Sequence, residues 1–367
     1  MTNAISADLN HVFKEFDVFN AVIDSKPFGS GHIHDTFLIR TAGEGAYILQ
    51  KINNKIFKNI PAMMENIERV SLHLKEKLSF IPGSDPEKET LTLIYTKKGK
   101  SYLIDENGLF WRVFKFIEPH QTFDLADDAA RVREAGQAYG KFMYLLTDLG
   151  GKPLHETIPC FHNIEMRLQK FHNALINGNK ERIKEAPAEI KLILDRADDM
   201  TLLSRLEKEG KIPTRITHND TKINNILFSL EGKAMCIIDL DTVMPGLAHY
   251  DFGDAIRTFT NTAAEDEKDL SQVSMNIEFF EKFAEGYLSA TNSMLSCEEK
   301  KHLAFSAKYF TYLHVIRFLT DYLEGDIYYK IHYPKHNLVR ARNQFTLLKS
   351  MESKFDLMQQ IINKLSR

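Results

Sequence analysis

The residues best suited to chemistry lie in one stretch, where a histidine and an aspartate are followed by an amide side chain. His218 and Asp220 form a His-x-Asp pair, and Asn225 stands five positions after the aspartate. An apolar run, 234–238, then ends at Asp239. When a phosphoryl group is transferred from ATP, a carboxylate meets the acceptor hydroxyl, while an amide and a second carboxylate hold Mg²⁺ on the phosphates. The order and spacing of these residues therefore predict a phosphoryl-transfer loop.

The role predicted for each side chain follows from its charge and its position in this stretch. Asp220 is expected to orient the acceptor hydroxyl and to accept its proton late in the reaction. Lys222 is expected to offset the charge that develops on the transferred group, the alternative being an ordinary surface lysine. Asn225 and Asp239 are the expected Mg²⁺ ligands. Asn224 is a rival for the amide position, but the spacing favours Asn225.

A second acidic pair follows the metal motif and needs a separate interpretation. Asp241 shares a predicted strand face with Asp239 and could bind a second ion or a substrate hydroxyl. The letters Asp-Phe-Gly at 251–253 match a metal-binding triplet of protein kinases, but they come too late in the chain because Asp239 already holds that position. Asp251 and Asp254 are instead expected to cap a helix and to brace the catalytic loop through Arg257 or backbone amides.

A glycine-containing turn near the N-terminus is a candidate for binding nucleotide phosphates. Gly29, Ser30 and Gly31 form this turn, and glycine lets backbone amides come close to phosphate oxygens. The stretches 36–40 and 46–52 alternate in the manner of paired strands. A hairpin turn is the simpler interpretation of Gly-Ser-Gly alone, but its place at the start of a small lobe favours a phosphate-covering turn.

Further candidate nucleotide contacts lie on the second of these strands and on the helix that follows it. Gln50 and Lys51 face opposite ways, so only one of them can point toward a nucleotide. Gln50 occupies the position where kinases usually have a lysine, and Lys51 could equally be a surface charge. Glu65 lies on a predicted helix, 61–77, and could hold a cation, although Glu68 on the same helix is an equal alternative.

The predicted fold is α+β, with the two lobes of a protein-kinase-like fold. A last strand, 109–117, leads into a hinge at which backbone groups and apolar side chains would bind adenine, so Phe116 and Glu118 are candidate contacts. Residues 1–117 are predicted to form a small antiparallel-sheet lobe that binds the nucleotide. Residues 118–367 are predicted to form a large, mostly helical lobe for catalysis and substrate binding. Helices are predicted at 8–24, 61–77, 127–146, 163–176, 187–209, 267–290, 297–325 and 337–365, and short strands at 91–95 and 101–104.

Composition indicates a soluble globular protein that is large enough for two lobes. The 367 residues carry a net charge of −3, which gives no basic surface for nucleic acid. No apolar run reaches membrane-spanning length, and the first residues are too polar for a signal peptide. The three cysteines are far apart and offer neither a disulfide framework nor zinc-ligand spacing. A cytoplasmic protein that binds neither nucleic acid nor membranes is expected, as a monomer or weak dimer.

The central motifs resemble those of a known enzyme superfamily. HNDTKINN at 218–225 and IDLD at 238–241 are similar to the catalytic and metal motifs of the aminoglycoside phosphotransferase superfamily, the small-molecule relatives of protein kinases. Within it, the chain is most similar to bacterial N-acetylhexosamine 1-kinases, also through FGSGHIHDTFLIR, YILQKIN and RFLTDYLEGDIYY. The resemblance implies transfer of the γ-phosphoryl group of ATP, with Mg²⁺, to the anomeric hydroxyl of N-acetylglucosamine or N-acetylgalactosamine.

The resemblance also implies roles for individual residues. It marks Asp220 as catalytic, Asn225 and Asp239 as metal ligands, and Gln50 as the ordinary residue at its position. His34 departs from the smaller polar residue expected in this subgroup, which affects the acceptor assignment. Sugar contacts are implied for Asp220, His32, Phe259, Arg317 and Tyr328, with inter-helix packing as the alternative for Arg317 and Tyr328.

Two other functions compete with a sugar 1-kinase. The acceptor could be another sugar, an amino alcohol or an aminoglycoside, but polycations require clustered carboxylates, and His32, Arg317 and Tyr328 are not acidic. The chain could instead be an inactive kinase fold that serves as a binding module. The presence of Asp220, Asn225 and Asp239 together argues against that alternative.

Overall fold

A six-stranded antiparallel sheet forms the N-terminal part of the computed structural model, which describes residues 9–29, 33–43 and 45–367. The strands run in the order β1-β2-β3-β6-β4, and β5 also pairs with β6. Helices make up most of the chain after this sheet, so the predicted α+β fold class is confirmed. The six strands are β1 (Val22–Pro27), β2 (Asp35–Thr41), β3 (Ala46–Ile52), β4 (Leu93–Ile94), β5 (Leu103–Ile104) and β6 (Phe110–Lys115).

The two faces of β3 have different neighbours, because side chains alternate along a strand. Leu49 lies in a buried cluster with Ile39 and Val113 from the flanking strands. Residues 9–16 cover this cluster with Leu9, Val12, Phe13 and Phe16. Gln50 is on the opposite face, directly across from Arg112 of β6. The predicted division of Gln50 and Lys51 between two faces therefore holds.

The predicted N-terminal helix, 8–24, is wrong beyond its first turns. Only residues 9–13 of its described part are helical, and Val22 begins β1. Phe16 forms an isolated β-bridge with Thr96 instead of continuing the helix. Val18 and Val22 still pack against the same apolar cluster, but from an extended backbone. The apolar spacing therefore identified the buried residues correctly and misjudged their secondary structure.

The first helix that flanks the sheet is Ile60–Ser79, close to its predicted bounds. Its start is fixed because the Asn59 side chain accepts a hydrogen bond from the amide of Ala62, and Pro61 occupies the first turn. After this helix, the stretch 82–90 contains a short helix, Pro86–Glu89, which Asp85 caps through the amide of Glu87.

A β-hairpin follows the catalytic motif. β8 (Ile226–Phe228) and β9 (Ala234–Ile237) pair antiparallel, with Ile226 opposite Ile237. Gly232 has φ +81°, a left-handed backbone that favours glycine in the connecting turn. Leu227 and Cys236 pack with Ile117 in a small apolar cluster, which anchors the hairpin. Another two-stranded sheet pairs β7 (Arg215–Thr217) with β10 (Met244–Gly246).

The described chain divides into two compact units. The first comprises the chain up to Thr122 together with Leu145–Pro159 and Ile226–Met244. The second comprises Phe123–Tyr144, Cys160–Asn225 and Pro245–Arg367. The functional division into 1–117 and 118–367 stays a prediction.

The helices of the second unit are shorter than the sequence predicts. The predicted helix 187–209 ends at Arg196, and a new one begins at Leu202. The predicted helices 297–325 and 337–365 are interrupted at His302 and Lys354. No helix of the described ranges combines the length and apolar character needed to cross a membrane. The helices are Ala129–Leu145, Ile164–Asn177, Lys180–Glu185, Pro187–Arg196, Leu202–Lys208, Ala248–Phe259, Ile277–Thr291, Cys297–Lys301, Leu303–Glu324, His336–Ser353 and Phe355–Leu365.

Candidate active site

Asp251, a buried aspartate on the Ala248–Phe259 helix, holds the backbone of the loop that carries Asp220. It accepts hydrogen bonds from the amides of His218 at 2.8 Å and Asn219 at 2.7 Å. Burial raises the pKa of Asp251 to about 7, although the two amides act in the opposite direction. The loop backbone is thus fixed immediately before Asp220.

Asp254 supports the same loop from the next turn of the helix. It accepts a hydrogen bond from the amide of Thr221 at 3.2 Å and pairs with Arg257 at 3.0 Å. The predicted bracing through Arg257 and backbone amides is therefore present. The predicted capping role is wrong, because the helix starts after Leu247 and both aspartates lie within it.

The side chain of Asp220 is held between a cation and an amide. Lys222 Nζ lies 2.8 Å from Oδ2 of Asp220, and Asn225 Nδ2 donates to the same oxygen at 3.0 Å. Burial acts to raise the pKa of Asp220, but Lys222 and these hydrogen bonds outweigh it, so the pKa lies below its ordinary value. The carboxylate is therefore ionised at neutral pH, as a group that accepts a proton must be.

The amide of Asn225 is oriented by the same contacts. Its nitrogen donates to the backbone carbonyl of Asp220 at 2.8 Å as well as to the carboxylate. Since the nitrogen makes both bonds, the oxygen is the atom that can ligate a metal ion. Asn224 remains the alternative amide ligand for the metal ion, because its side-chain oxygen is buried and has no hydrogen-bond partner within the described ranges.

In the first unit, Asp239 follows β9 with an unusual backbone. Its φ of +61° is left-handed, a conformation that few residues other than glycine adopt. The short 3₁₀ helix Leu240–Thr242 begins directly after it and redirects the chain. Strained backbone conformations cluster at functional sites, and the metal-binding role of Asp239 stays a prediction.

Asp241 is buried in a charged cluster of the first unit. Arg112 donates to both of its carboxylate oxygens, at 2.5 Å and 3.0 Å. His34 accepts the amide of Asn53 at Nδ1, so its Nε2 carries the hydrogen and donates to Asp241 at 2.5 Å. Burial acts to raise the pKa of Asp241, but Arg112 and His34 outweigh it and hold the pKa far below its ordinary range. A metal-ligand role for Asp241 stays a prediction that requires these contacts to open.

Arg112 also explains the environment of Gln50. The Nε of Arg112 donates to the side-chain oxygen of Gln50 at 2.9 Å, and Gln50 donates to Thr36 at 3.0 Å. Lys51 forms an ion pair with Asp35. The cation on the face of Gln50 is therefore Arg112, a residue that the sequence did not single out.

The remaining candidate nucleotide contacts have partners in the first unit. Glu65 lies 2.9 Å from His155 Nε2. Glu118 pairs with Arg40 at 2.9 Å, next to the predicted adenine site. Phe116 lies between two rings, with centroid distances of 5.4 Å to Phe28 and 5.2 Å to His120. Gly29 has φ +80°, as a tight turn requires, while Ser30, Gly31 and His32 lie outside the described residues.

The candidate sugar contacts of the second unit have contrasting environments. Phe259 is 2% exposed and packs against Phe283 with a centroid distance of 5.2 Å, which places it in the helical core. Tyr328 is 56% exposed, and its ring contacts Tyr329 edge to face at 4.8 Å. Arg317 lies over the same Tyr329 ring at 5.7 Å. Arg317 and Tyr328 are therefore joined through a tyrosine that the sequence did not single out.

The sequence also missed a histidine and an arginine beside the catalytic loop. His162 is buried, and its Nε2 hydrogen-bonds the carbonyl of Asn219 at 3.2 Å. Arg167 lies one turn into the Ile164–Asn177 helix and donates to the carbonyl of Phe161 at 2.7 Å. The charged residues of this helix resembled a solvated face, so no pattern marked Arg167.

An ionised aspartate in a braced loop of the second unit, and an aspartate after a short hairpin of the first unit, are features that the sequence analysis expects of a kinase-like phosphotransferase. Comparison with known families agrees. Residues 24–292 match the phosphotransferase enzyme family, APH, which is well over half of the chain. The chain belongs to this family, and the coarser part of the sequence hypothesis, a small-molecule kinase, is confirmed.

Solved structures share the fold at low sequence identity. A microcompartment-associated aminopropanol kinase has a TM-score of 0.63 at 15% identity, with 96% of this chain and 98% of that chain covered. An aminoglycoside phosphotransferase from Alicyclobacillus acidocaldarius has a TM-score of 0.59 at 9% identity, with 96% of each chain covered. The amicoumacin kinase hAmiN, solved with AMP-PNP and Ca²⁺, has a TM-score of 0.58 at 13% identity, with 96% of each chain covered.

Each of the two predicted metal ligands carries an oxygen atom of the kind that Mg²⁺ prefers. Mg²⁺ prefers oxygen ligands and commonly takes one or two protein carboxylates, with phosphates and water completing its shell. Asn225 offers an oriented amide oxygen and Asp239 a carboxylate. Among the described residues, no three His, Cys, Asp or Glu side chains form a metal-binding group, so a cage made only of these side chains is not the type of site found here.

Proposed function

We propose that this protein transfers the γ-phosphoryl group of ATP to the anomeric hydroxyl of an N-acetylhexosamine, N-acetylglucosamine or N-acetylgalactosamine. The observation that carries the proposal is the state of Asp220. Lys222 and Asn225 keep it ionised. Asp251 and Asp254 hold its loop by accepting hydrogen bonds from backbone amides. A carboxylate that is both ionised and fixed suits a group that orients a hydroxyl for phosphoryl transfer.

In the proposed reaction, Asp220 accepts a hydrogen bond from the anomeric hydroxyl and takes its proton as the new oxygen–phosphorus bond forms. The bond between the γ-phosphorus and its bridging oxygen breaks at the same time, and ADP leaves. Lys222 transfers part of its interaction from Asp220 to the phosphoryl oxygens, where negative charge develops. Mg²⁺, held by Asn225 and Asp239, supplies charge neutralisation on the phosphates when it is bound.

The proposed nucleotide contacts lie in residues 1–117, and the proposed catalytic and substrate contacts in 118–367, apart from His32. The turn that begins at Gly29 would cover the phosphates, and Phe116 with Glu118 would bind adenine. Arg112 supplies the positive charge on the face of Gln50, where related kinases use a strand lysine. A cytoplasmic location and a monomeric or weakly dimeric state stay predictions.

The acceptor side favours a sugar over a cation. The neighbours' names include an aminopropanol kinase and an aminoglycoside phosphotransferase, whose acceptors carry amino groups. In this chain, the candidate acceptor residue Arg317 is positively charged. Burial and then the charge of the nearby Arg317 lower the pKa of the Arg167 guanidinium. A cationic acceptor would therefore meet like charge, whereas sugar hydroxyls and carbonyls can accept hydrogen bonds from arginine.

An ATP-consumption assay with Mg²⁺ tests the proposal. Free N-acetylglucosamine, N-acetylgalactosamine, glucose and galactose would each be compared with the sugar methylated at its anomeric oxygen. Turnover on a free N-acetylhexosamine that disappears on methylation is expected. Turnover that survives methylation would assign another hydroxyl as acceptor, and turnover on none of these sugars would contradict the sugar-kinase assignment.

A further inference from the structure

Asn66 joins the helix Ile60–Ser79 to two distant parts of the first unit. It is fully buried, and its side chain bonds backbone groups of His155 and Val243, which lie 89 and 177 positions away. Nδ2 donates to the carbonyls of His155 at 2.8 Å and Val243 at 3.0 Å, and Oδ1 accepts the amide of His155 at 2.9 Å. Since a backbone amide can only donate, the His155 amide determines which side-chain atom of Asn66 is the oxygen.

Val243 ends a short segment that begins at Asp239, the predicted Mg²⁺ ligand. Residues 239–243 are called the metal segment below. The Val243 amide donates to the carbonyl of Leu240 at 3.1 Å, which closes the short 3₁₀ helix within the segment. The Val243 carbonyl is held by Asn66, so both backbone polar groups at the end of the segment are bound. Because the 3₁₀ helix starts directly after Asp239, its placement determines where the Asp239 carboxylate lies.

The same helix reaches the metal segment at a second point. Sδ of Met64 lies 3.9 Å from Nη1 of Arg112, whose guanidinium donates to Asp241 in the middle of the segment. Met64 and Arg112 are both buried. Two positions on one turn of the helix therefore contact the middle and the end of the segment, one through Arg112 and the other directly. A displacement of this turn would displace the segment with it.

We propose that Asn66 is a positioning residue for the proposed metal site: it fixes the metal segment on the helix so that the Asp239 carboxylate meets Mg²⁺ on the phosphates of ATP. This inference rests on the proposed kinase function and adds a residue to it. In this role Asn66 touches neither nucleotide nor metal and acts through the backbone of Val243. An amide suits the task, because its two hydrogens hold Val243 and His155 at once without placing a charge beside the metal.

A purely structural role for Asn66 is the alternative. Two of its three hydrogen bonds go to His155, and in this alternative Asn66 anchors the loop that contains His155 and has no effect on metal binding. The two roles differ in what they predict. Loss of a group that orients a metal ligand usually weakens metal binding by about 10- to 100-fold. Loss of a loop anchor lowers stability but leaves the dependence of nucleotide binding on Mg²⁺ unchanged.

Calorimetric titration of the full chain with AMP-PNP, a non-hydrolysable analogue of ATP, distinguishes the two roles. Each protein is titrated in Mg²⁺ and again in EDTA, and the ratio of the two dissociation constants is called the metal gain below. Asn66→Leu keeps a similar side-chain volume without the hydrogen bonds and should lower the metal gain by about tenfold. Binding in EDTA should stay close to that of the parent protein. Asn66→Ala, which also leaves space, should show the same loss of metal gain.

Asn343→Leu is the matched control. Asn343 is a buried residue of the helix His336–Ser353 in the second unit, and its Nδ2 donates to the carbonyl of Ala264 at 2.9 Å. The control variant loses a comparable side-chain bond to a loop and should be less stable in thermal unfolding, as Asn66→Leu should be. It should keep the metal gain of the parent protein. A lower stability therefore does not by itself produce the expected result.

An unchanged metal gain in both Asn66 variants, or equal weakening in Mg²⁺ and in EDTA, would overturn the inference and assign Asn66 to loop anchoring. Loss of the gain in Asn343→Leu as well would also overturn it, because the loss would then follow from reduced stability. A parent protein without any metal gain would contradict the proposed metal site and overturn the inference with it. A selective loss in the Asn66 variants of a protein that consumes no ATP with any sugar would support the inference while contradicting the sugar-kinase assignment. Because the titrations contain no acceptor, the two failures are distinguishable.

Discussion

Each compact unit contains a buried aspartate next to a candidate functional segment, and the groups that hydrogen-bond to the two aspartates differ. In the second unit, Asp251 accepts hydrogen bonds from two backbone amides and has a pKa raised to about 7 by burial. In the first unit, Asp241 is held by Arg112 and His34, and its pKa is depressed. Neutral donors fix a backbone without adding charge beside a catalytic aspartate, whereas an ion pair fixes side chains at the cost of burying two charges.

The largest expected effect concerns the residue that Asp251 supports. Asp220→Asn removes the carboxylate that we propose accepts the proton, and should lower turnover about 100- to 10,000-fold. The variant should keep its unfolding temperature and nucleotide binding, because Asn has the same shape and the loop is fixed by Asp251. Steady-state kinetics and thermal unfolding check both statements, and undiminished turnover would remove Asp220 from the mechanism.

Breaking the charged cluster of the first unit should have the largest effect on stability. Asp241→Ala leaves Arg112 buried and unpaired, and should lower the free energy of unfolding by about 3–5 kcal/mol. The double variant Arg112→Met with Asp241→Leu removes both charges and should recover most of that loss. Chemical denaturation of both proteins measures the difference, and a double variant as unstable as the single one would contradict an ion-pair origin.

Asp251→Asn tests how much the backbone hydrogen bonds of Asp251 contribute to stability in the second unit. An amide side chain can accept only one of the two backbone hydrogen bonds well, so the free energy of unfolding should fall by about 1–3 kcal/mol. This is less than the effect of Asp241→Ala, because no buried charge is left unpaired. If Asp251→Asn were the more destabilising change, the proposed contrast between neutral and charged anchoring would be wrong.

The last expected effect is a pH dependence that belongs to Asp251. Its pKa is about 7 in the folded protein and near 3.8 when unfolded, so the folded state binds the proton more tightly. The resulting stabilisation is fully present below pH 3.8 and is lost as the pH rises through about 7. The difference in unfolding free energy between the parent protein and Asp251→Asn, measured from pH 5 to 8, should therefore shrink as pH rises. A constant difference would show that Asp251 is ionised throughout.

The sequence predicted the elements whose signals are local. The alternation of apolar residues identified β2 and β3, and the apolar run 234–238 contains the strand β9. Helix ends were less well predicted. An apolar period continues through a single interrupting residue, such as Lys354, where only backbone geometry ends one helix and starts the next.

Contacts between residues far apart in the chain could not be predicted from the sequence. Arg112 and Asp241 are 129 positions apart, and nothing in the pattern around either one indicates its partner. The same holds for His162 and Asn219, whose hydrogen bond joins residues 57 positions apart. Such contacts depend on the folded surroundings, so no single-sequence pattern reports them.

The His34–Asp241–Arg112 cluster has a consequence for how such proteins diverge. His34 also stacks on Phe57, at 5.7 Å and 26°, so its ring fills space as well as donating a hydrogen bond. A smaller residue at position 34 would leave one oxygen of Asp241 exposed to water. A neutral residue at position 241 would leave the buried charge of Arg112 without a carboxylate partner. We therefore expect chains that keep His34 to keep Arg112 and Asp241 with it.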